Sequence, residues 1–276
     1  MDSKSVISSL FGVQRALIGA IHTGALPGTP KADRGVDAIA EECAAEARIY
    51  ASGGFHGLII ENTHDRPYLK GSVGPEVAAA LSVIGYSVRR ASGLPLGIQV
   101  LAAANQTALA VAHACGACFV RVEGFVFAHV ADEGLIESSA GELLRYRRMI
   151  GADDIRVFAD IKKKHSAHAI TADVDLVETA RAAEFFLADG VIVTGVSTGQ
   201  PADPGEVQSV AQAVKLSTLV GSGITAENIG AYDEADAFIV GSSVKRDGLW
   251  SGTLDDARVR ALSRAFMALP TLASRS

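Results

Sequence analysis

Polar and titratable side chains recur along this sequence near the ends of successive short apolar runs. His22 ends the first run, and Glu61 and Asn62 end the second. The remaining members of this set are Gln99, Arg121, Glu123, Asp160, Lys162 and Thr194, with His165 shortly after. Carboxylates, amines and an imidazole that lie close together shift each other's pKa values, as general acid–base catalysis requires. The set predicts a catalytic site if the run ends meet.

The spacing within two runs assigns roles. Arg121 and Glu123 share one side of a strand, as do Asp160 and Lys162, and charges avoid an apolar helix layer, so both pairs should face inward. We expect Asp160 and Glu123 to act as acid–base residues, together with Glu61 and His22. Lys162 is expected to stabilise charge or to form a Schiff base. The residues expected to bind substrate are Asn62, Gln99, Arg121, His165 and Thr194.

Structural alternatives stand beside these roles. Arg121 is equally explained as an ion-pair partner of Glu123 or Asp160, and His22 as a buried histidine with a satisfied ring. Glu61 and Asn62 point to opposite sides of a regular strand, so only one should line the site. A divalent cation held by Glu61, Glu123, Asp160, His22 and His165 is also open, although no compact ligand motif such as HExxH occurs.

Two glycine-containing turns follow the last two runs and predict an anion site. Val220 leads into Gly-Ser-Gly, and Val240 leads into Gly-Ser-Ser. Such turns expose backbone N–H groups, and a helix beginning near Ala226 would add its dipole. Ser222, Gly223, Gly241 and Ser242 are therefore expected to surround a phosphoryl group. The alternative is that these glycines serve only tight turning.

The elements that must position these residues alternate short apolar runs with amphipathic stretches, the pattern of βαβ units. Eight runs are predicted strands, namely Ala16–His22, Gly57–Asn62, Leu96–Leu101, Cys118–Glu123, Arg156–Ile161, Gly190–Thr194, Ser217–Val220 and Ala237–Val240. Eight is the number of strands that closes a (β/α)8 TIM-type barrel, in which catalytic groups lie at the C-terminal ends of the strands. A doubly wound sheet would give a similar alternation and is the alternative fold.

The segments between the strands complete this organisation. Helices are expected over Val36–Ser52, Glu76–Ser92, Gln106–Cys115 and Asp175–Ala188, and the glycine that follows each of them, including Gly190 after the last, is expected to form a left-handed cap. Residues 1–276 are interpreted as a single barrel domain, with residues 1–15 forming a short helix that closes the barrel bottom. The long segment Gly124–Ala140 is either a lid or an ordered surface loop.

The composition excludes several classes of protein. The chain has 276 residues, 49% of them hydrophobic, and a net charge of −6 with scattered basic residues, so we expect no nucleic-acid partner. We expect no secretory signal and no membrane span, because the sequence shows neither a basic segment followed by an apolar one near residue 1 nor an apolar run long enough to cross a membrane, and its three cysteines fit the reducing cytoplasm. The mean hydropathy of +0.25 predicts a homo-oligomer.

The sequence resembles the BtpA family, also called BtpA/SgcQ, almost from end to end. The resemblance rests on ordered segments, which are Gly19–Pro30, Glu61–Pro67, Lys70–Pro75, Ala131–Glu137, Ala159–His165, Val193–Gly199, Val220–Gly223 and Phe238–Ser243. It implies a TIM-type barrel, and the family label of photosystem I or membrane-complex biogenesis factor. Two segments depart from the usual pattern. Ala102–Ala104 replaces an Arg-Asn-Asp stretch, and Glu123 replaces an asparagine.

Two functions follow as hypotheses. The first is an enzyme that acts on a small phosphorylated or nucleoside-like sugar by lyase, isomerase or hydrolase chemistry. The second is a non-catalytic assembly factor for a membrane protein complex, which would use the barrel as a binding body. An assembly factor does not require an open, charged mouth, so the shape and charge of the mouth discriminate between them.

Overall fold

Eight parallel strands close into a barrel in the computed structural model, which describes residues 5–195 and 200–272. The strands are β1 (Ala16–His22), β2 (Gly57–Glu61), β3 (Leu96–Gln99), β4 (Phe119–Val122), β5 (Arg156–Ile161), β6 (Gly190–Val193), β7 (Ser217–Val220) and β8 (Ala237–Val240). Strand β1 pairs with β8 as well as with β2, which closes the ring. The predicted (β/α)8 barrel is confirmed, and the doubly wound sheet is excluded because such a sheet has free edges.

Strand alternation explains where the charges go. Phe119 and Phe158 lie in the apolar cluster of the barrel interior, together with Ile59. The residue two positions further along each strand points to the same side, and these residues are Arg121, Asp160 and Glu61. The lumen is therefore hydrophobic near the N-terminal ends of the strands, and it contains a charged layer toward their C-terminal ends.

The lower end of the lumen is packed by the first helix. Ile7 and Phe11 belong to the interior cluster, and the ring of Phe11 meets that of Phe119 edge-on at a centroid distance of 5.8 Å. This helix spans Ser5–Phe11. Residues 1–4 of the predicted N-terminal helix lie outside the described residues, as do residues 196–199 of the family segment Val193–Gly199.

Eight α-helices are found in the described part of the chain. They are α1 (Ser5–Phe11), α2 (Val36–Ser52), α3 (Pro75–Ser92), α4 (Asn105–Cys115), α5 (Ala140–Met149), α6 (Leu176–Phe185), α7 (Pro204–Ala213) and α8 (Asp256–Met267). Gly93 and Gly116 adopt the expected left-handed cap, whereas Gly53 does not, since its φ is −79° and Gly54 makes the turn instead. Helix α6 stops three residues before the predicted Ala188, and Gly190 is not its cap because it begins strand β6. No described helix is long and apolar enough to cross a membrane.

The segment after β4 is an ordered hairpin. Strands His129–Ala131 and Gly134–Ile136 pair with each other, and Ser166–Ala167 from the loop after β5 adds a third strand. Asp132 and Glu133, in the turn of this hairpin, reach the mouth of the barrel. The hairpin therefore joins the loops after β4 and β5 into one wall.

Exposed apolar residues cluster at the end of α6. Phe185 is 81% exposed and Leu187 is 70% exposed, with Phe186 between them. The homo-oligomer inferred from hydropathy stays a prediction, and light scattering of the purified protein would test it.

Candidate active site

A cavity of about 620 Å³ opens at the C-terminal end of the barrel and collects most of the predicted site residues. Its lining includes His22, Glu61, Gln99, Arg121, Glu123, Asp160, His165, Ser222, Gly223, Gly241 and Ser242. These residues come from seven of the eight strands or the loops that follow them. Three predicted residues, Asn62, Lys162 and Thr194, do not line it.

Arg121 is the centre of the charged layer. Its Nε and Nη2 atoms donate to the two carboxylate oxygens of Asp160 at 2.9 and 3.0 Å, and its Nη1 atom donates to Glu61 Oε1 at 3.1 Å. Burial opposes ionisation of Glu61, but the surrounding positive groups, with Arg121 first and His22 and Lys164 after it, together outweigh burial and keep the pKa of Glu61 below its usual value. The structural alternative for Arg121 is therefore what the geometry shows, with Asp160 and Glu61 as its partners. The N–H groups of Arg121 that face Asp160 and Glu61 are already engaged in these ion pairs.

His22 presents one ring nitrogen to the cavity. Its Nδ1 atom lies 2.8 Å from the carbonyl oxygen of Trp250, and a carbonyl only accepts, so the neutral ring carries its proton on Nδ1. The Nε2 atom is then an unprotonated acceptor, 3.8 Å from Glu61 Oε2. Burial, reinforced by the charge of Lys245, lowers the pKa of His22 to about 4. His22 is thus a neutral base at physiological pH.

Glu123 is held by a contact between the two segments that depart from the BtpA pattern. The N–H of Ala103 donates to Glu123 Oε2 at 3.2 Å, and Lys163 donates to Oε1 at 3.3 Å. Burial raises the pKa of Glu123 despite the nearby Lys163. A carboxyl group with a raised pKa keeps its proton to higher pH than an ordinary carboxyl group, so Glu123 is the candidate acid of the cavity.

Lys162 lies outside the cavity, and the prediction that it shares the site is wrong. Strand β5 ends at Ile161, and Lys162 has a left-handed backbone with φ of 44°, so the alternation that placed it beside Asp160 stops. Its Nζ atom donates to the carbonyl oxygen of Thr171 at 3.1 Å. Lys163 and Lys164 line the cavity instead.

Asn62 and Thr194 have structural partners. Asn62 donates to Asp65 at 2.9 Å and accepts from the N–H of Leu101 at 2.8 Å, which ties the loop after β2 to the loop after β3. Thr194 Oγ1 accepts from the N–H of Lys164 at 3.2 Å. Both were expected to bind substrate, and both instead position loops that carry cavity residues. For Asn62, strand alternation explains this, because Glu61 takes the inward side.

The glycine turns form one corner of the cavity. Gly223 has φ of 67°, and a Cβ there would lie 2.3 Å from the Pro201 nitrogen, so the loops after β6 and β7 touch at this glycine. Ser222 Oγ accepts from the N–H of Gly195 at 2.8 Å and donates to the Gln200 carbonyl at 3.2 Å. The glycine therefore serves loop packing, and the Ser222 hydroxyl is occupied.

Backbone donors nevertheless remain in this corner. Within residues 5–195 and 200–272, the N–H groups of Gly223, Ser242 and Ser243 donate to no other residue. Beside them, a Cβ on Gly241 would lie 3.0 Å from His22 Nε2. The corner with free N–H groups is thus next to the imidazole.

The helix expected near Ala226 is absent, and this prediction is wrong. Thr225 Oγ1 accepts from the N–H groups of Glu227 and Asn228, and only a three-residue 3₁₀ turn, Ile229–Ala231, follows. No helix dipole therefore acts there. Arg258 of α8 supplies a positive charge there instead. It lines the cavity, and its Nη1 atom donates to the Ser243 carbonyl oxygen at 3.3 Å.

The divalent cation that the sequence leaves open finds no ligand cluster among the described residues. Among the described residues, no three His, Cys, Asp or Glu side chains are arranged to hold a metal ion. The physical reason is that Arg121 already neutralises Glu61 and Asp160, while Glu123 pairs with Lys163. The residues present do not fit a metal site.

An aromatic wall was missed by sequence reasoning. The ring of Trp250 lies 4.8 Å from that of His64, and the guanidinium of Arg66 lies 4.8 Å above Trp250. Trp250, Arg66 and Tyr68 all line the cavity. The one available signal is that Trp250 is the only tryptophan in the chain. Arg258 carried no signal, because it lies in an ordinary amphipathic helix.

The fold and site define a TIM-type barrel with a charged cavity at its C-terminal mouth. The family model described as the BtpA family matches residues 13–268, and the chain belongs to that family. A Caenorhabditis elegans protein named as uncharacterized and mitochondrial is 44% identical over 94% of this chain and 96% of its own. The photosystem I biogenesis protein BtpA of Synechocystis is 35% identical over 92% of this chain and 89% of its own.

Solved structures share the fold at low sequence identity. The (S)-3-O-geranylgeranylglyceryl phosphate synthase of Thermoplasma acidophilum superposes with a TM-score of 0.62 and 14% identity, over 96% of this chain and 98% of that one. The thiamine phosphate pyrophosphorylase of Pyrococcus furiosus gives 0.57 and 13%, over 95% and 98%. At such identities the likeness establishes the barrel fold only.

Proposed function

We propose that this protein is an enzyme that acts on a small phosphorylated sugar or sugar-like substrate by acid–base chemistry of the lyase, isomerase or hydrolase type. The observation that carries this proposal is that one cavity combines candidate acid–base groups with an anion-binding corner. His22, a neutral histidine, lies beside the corner that holds the free N–H groups of Gly223, Ser242 and Ser243. Glu123, a carboxyl group with a raised pKa, lines the same cavity.

The anion corner supports a phosphorylated substrate. Backbone N–H groups that donate to a charged oxygen contribute roughly 1.5–3 kcal/mol each, and Arg258 adds a positive charge at the rim. The names of the solved neighbours point the same way, since one is a thiamine phosphate pyrophosphorylase and another was solved with sn-glycerol-1-phosphate.

The charged layer supports catalysis by fixing protonation states. His22 Nε2 accepts a proton from a bound substrate, and Glu61 at 3.8 Å stabilises the resulting imidazolium. Glu123 donates a proton to a developing alkoxide. Asp160 is removed from this scheme, because both of its oxygens accept from the guanidinium of Arg121, which stays charged and holds Asp160 as a carboxylate. Its role is to hold Arg121.

A binding experiment tests the proposal. Trp250 is the only tryptophan and lines the cavity, so its fluorescence reports ligands directly. We expect phosphorylated sugars such as ribose 5-phosphate to change the emission, and ribose to leave it unchanged. Calorimetry should show that Ser242→Asp weakens binding at least tenfold by adding a negative charge. Equal responses to ribose and ribose 5-phosphate would refute the proposal.

Assembly of a membrane protein complex is the second candidate, because the Synechocystis relative is named as a photosystem I biogenesis protein. Complementation of a Synechocystis strain that lacks that relative separates the two. If His22→Gln complements as well as the unaltered chain, the cavity chemistry is not what this role requires. The proposed location is the reducing cytoplasm, based on the three free cysteines. Cell fractionation tests it against the mitochondrion named for the worm relative.

A further inference from the structure

Lys164 stands out among the three consecutive lysines after β5. The amine of Lys162 donates to the Thr171 carbonyl at 3.1 Å, and that of Lys163 pairs with Glu123 at 3.3 Å. Among the described residues, the Nζ atom of Lys164 makes no hydrogen bond or salt bridge, yet Lys164 lines the large cavity. The cavity therefore contains one amine that is free to react.

The backbone holds Lys164 at a defined place. Its N–H donates to Thr194 Oγ1 at 3.2 Å, which ties the loop after β5 to the end of β6. Lys164 lines the same cavity as Arg121, Glu61 and Asp160, whose charges act on its amine. Burial and the Arg121 charge lower the pKa of Lys164, which favours the neutral, nucleophilic form.

We propose that Lys164 is a covalent nucleophile, whose amine forms an imine with the carbonyl carbon of a phosphorylated aldehyde or ketone bound in the cavity. This inference rests on the proposed function, because the phosphate corner must hold the substrate. The assignment replaces Lys162, the lysine that strand alternation favoured.

The step balances with the groups present. The neutral amine attacks the carbonyl carbon, so a C–N bond forms while the carbonyl π electrons move to oxygen, which takes a proton from Glu123. The nitrogen then passes its proton to His22 Nε2. The protonated His22 returns this proton to the hydroxyl, which leaves as water while the nitrogen lone pair forms the C=N bond, so the one proton consumed is the one from Glu123. The net change is one amine, one carbonyl and one proton converted to one iminium and one water.

Pyridoxal 5′-phosphate is a suitable probe because it carries an aldehyde and a phosphate. The intact protein is incubated with the probe at equimolar concentration, reduced with sodium borohydride, and mapped by peptide mass spectrometry. We expect the pyridoxyl group on Lys164, and at least tenfold less labelling when inorganic phosphate is in excess. Lys164→Met should remove this label, and Lys164→Arg, which keeps the charge, should remove it as well.

Lys162→Met is the matched control, since that lysine lies two residues away but outside the cavity. It should leave the Lys164 label unchanged. Labelling of Lys163 or surface lysines in place of Lys164, with phosphate binding by calorimetry intact, overturns the inference and leaves the proposed function standing. If the unaltered protein neither binds phosphate nor is labelled by the probe, the proposed function itself is refuted.

Discussion

Arg121 and Asp160 form a two-pronged ion pair across neighbouring strands of the barrel, with N–O distances of 2.9 and 3.0 Å. Both side chains are almost fully buried, at 6% and 1% exposure. A buried charge that loses its partner is costly, because water cannot replace the lost interaction. This ion pair therefore belongs to the charged layer of the cavity and also stabilises the barrel.

Asp160→Asn should destabilise the protein by about 3 kcal/mol, because one buried carboxylate no longer balances Arg121. The ion pair therefore favours a structural role for Asp160 over the acid–base role that the sequence predicts. Urea denaturation measures the loss. The control is Asp153→Asn, which removes a pair with Arg148 that is largely exposed and should change stability by less than about 1 kcal/mol. Equal effects of the two substitutions would contradict the prediction.

His22 should make stability depend on pH. Burial lowers its pKa from 6.5 to about 4, so the unfolded chain binds more protons than the folded chain between these values. The His22 contribution is therefore constant above pH 6.5 and declines as the pH falls toward 4, by up to about 3 kcal/mol. Denaturation curves of the unaltered protein and His22→Gln should converge as the pH falls. An NMR titration that places His22 near 6.5 would refute this prediction.

Arg258 should contribute to phosphate affinity through its charge. Arg258→Ala is expected to weaken binding of ribose 5-phosphate roughly tenfold at low salt and less at high salt, because a rim charge is screened. The control is Arg260→Ala on the same helix, since Arg260 pairs with Asp256 and does not line the cavity. Calorimetry at two salt concentrations measures both. Matching affinities for the two variants would exclude Arg258 from the site.

Gly223 should be intolerant of any side chain. Gly223→Ala places a Cβ 2.3 Å from the Pro201 nitrogen on a backbone with φ of 67°, so we expect a loss of about 1–3 kcal/mol. Gly223→Asp would disturb the loop in the same way, so it is not a clean probe of the anion corner. Gly230→Ala is the control, because open space surrounds that glycine. Thermal denaturation compares them, and an unchanged midpoint for Gly223→Ala would contradict the packing argument.

The sequence by itself determined the barrel fold and the position of the charged residues along the barrel axis, at the C-terminal ends of the strands. Strands β1, β5, β7 and β8 match their predicted bounds, because continuous apolar runs between glycine turns leave few other structures. Alternation also placed Arg121 and Asp160 inward, two residues above Phe119 and Phe158. These results follow from local periodicity, which a single chain carries in full.

Only the tertiary structure decided which neighbours meet and where the alternation stops. Arg121 pairs with Asp160 and Glu61, two residues from other strands, so no local pattern could select them over Glu123. Lys162 leaves the site because the strand ends one residue earlier and its φ becomes positive. Trp250 and Arg258 enter it from segments after β8. Ring closure brings distant segments together, and their side-chain partners depend on distances that periodicity does not encode.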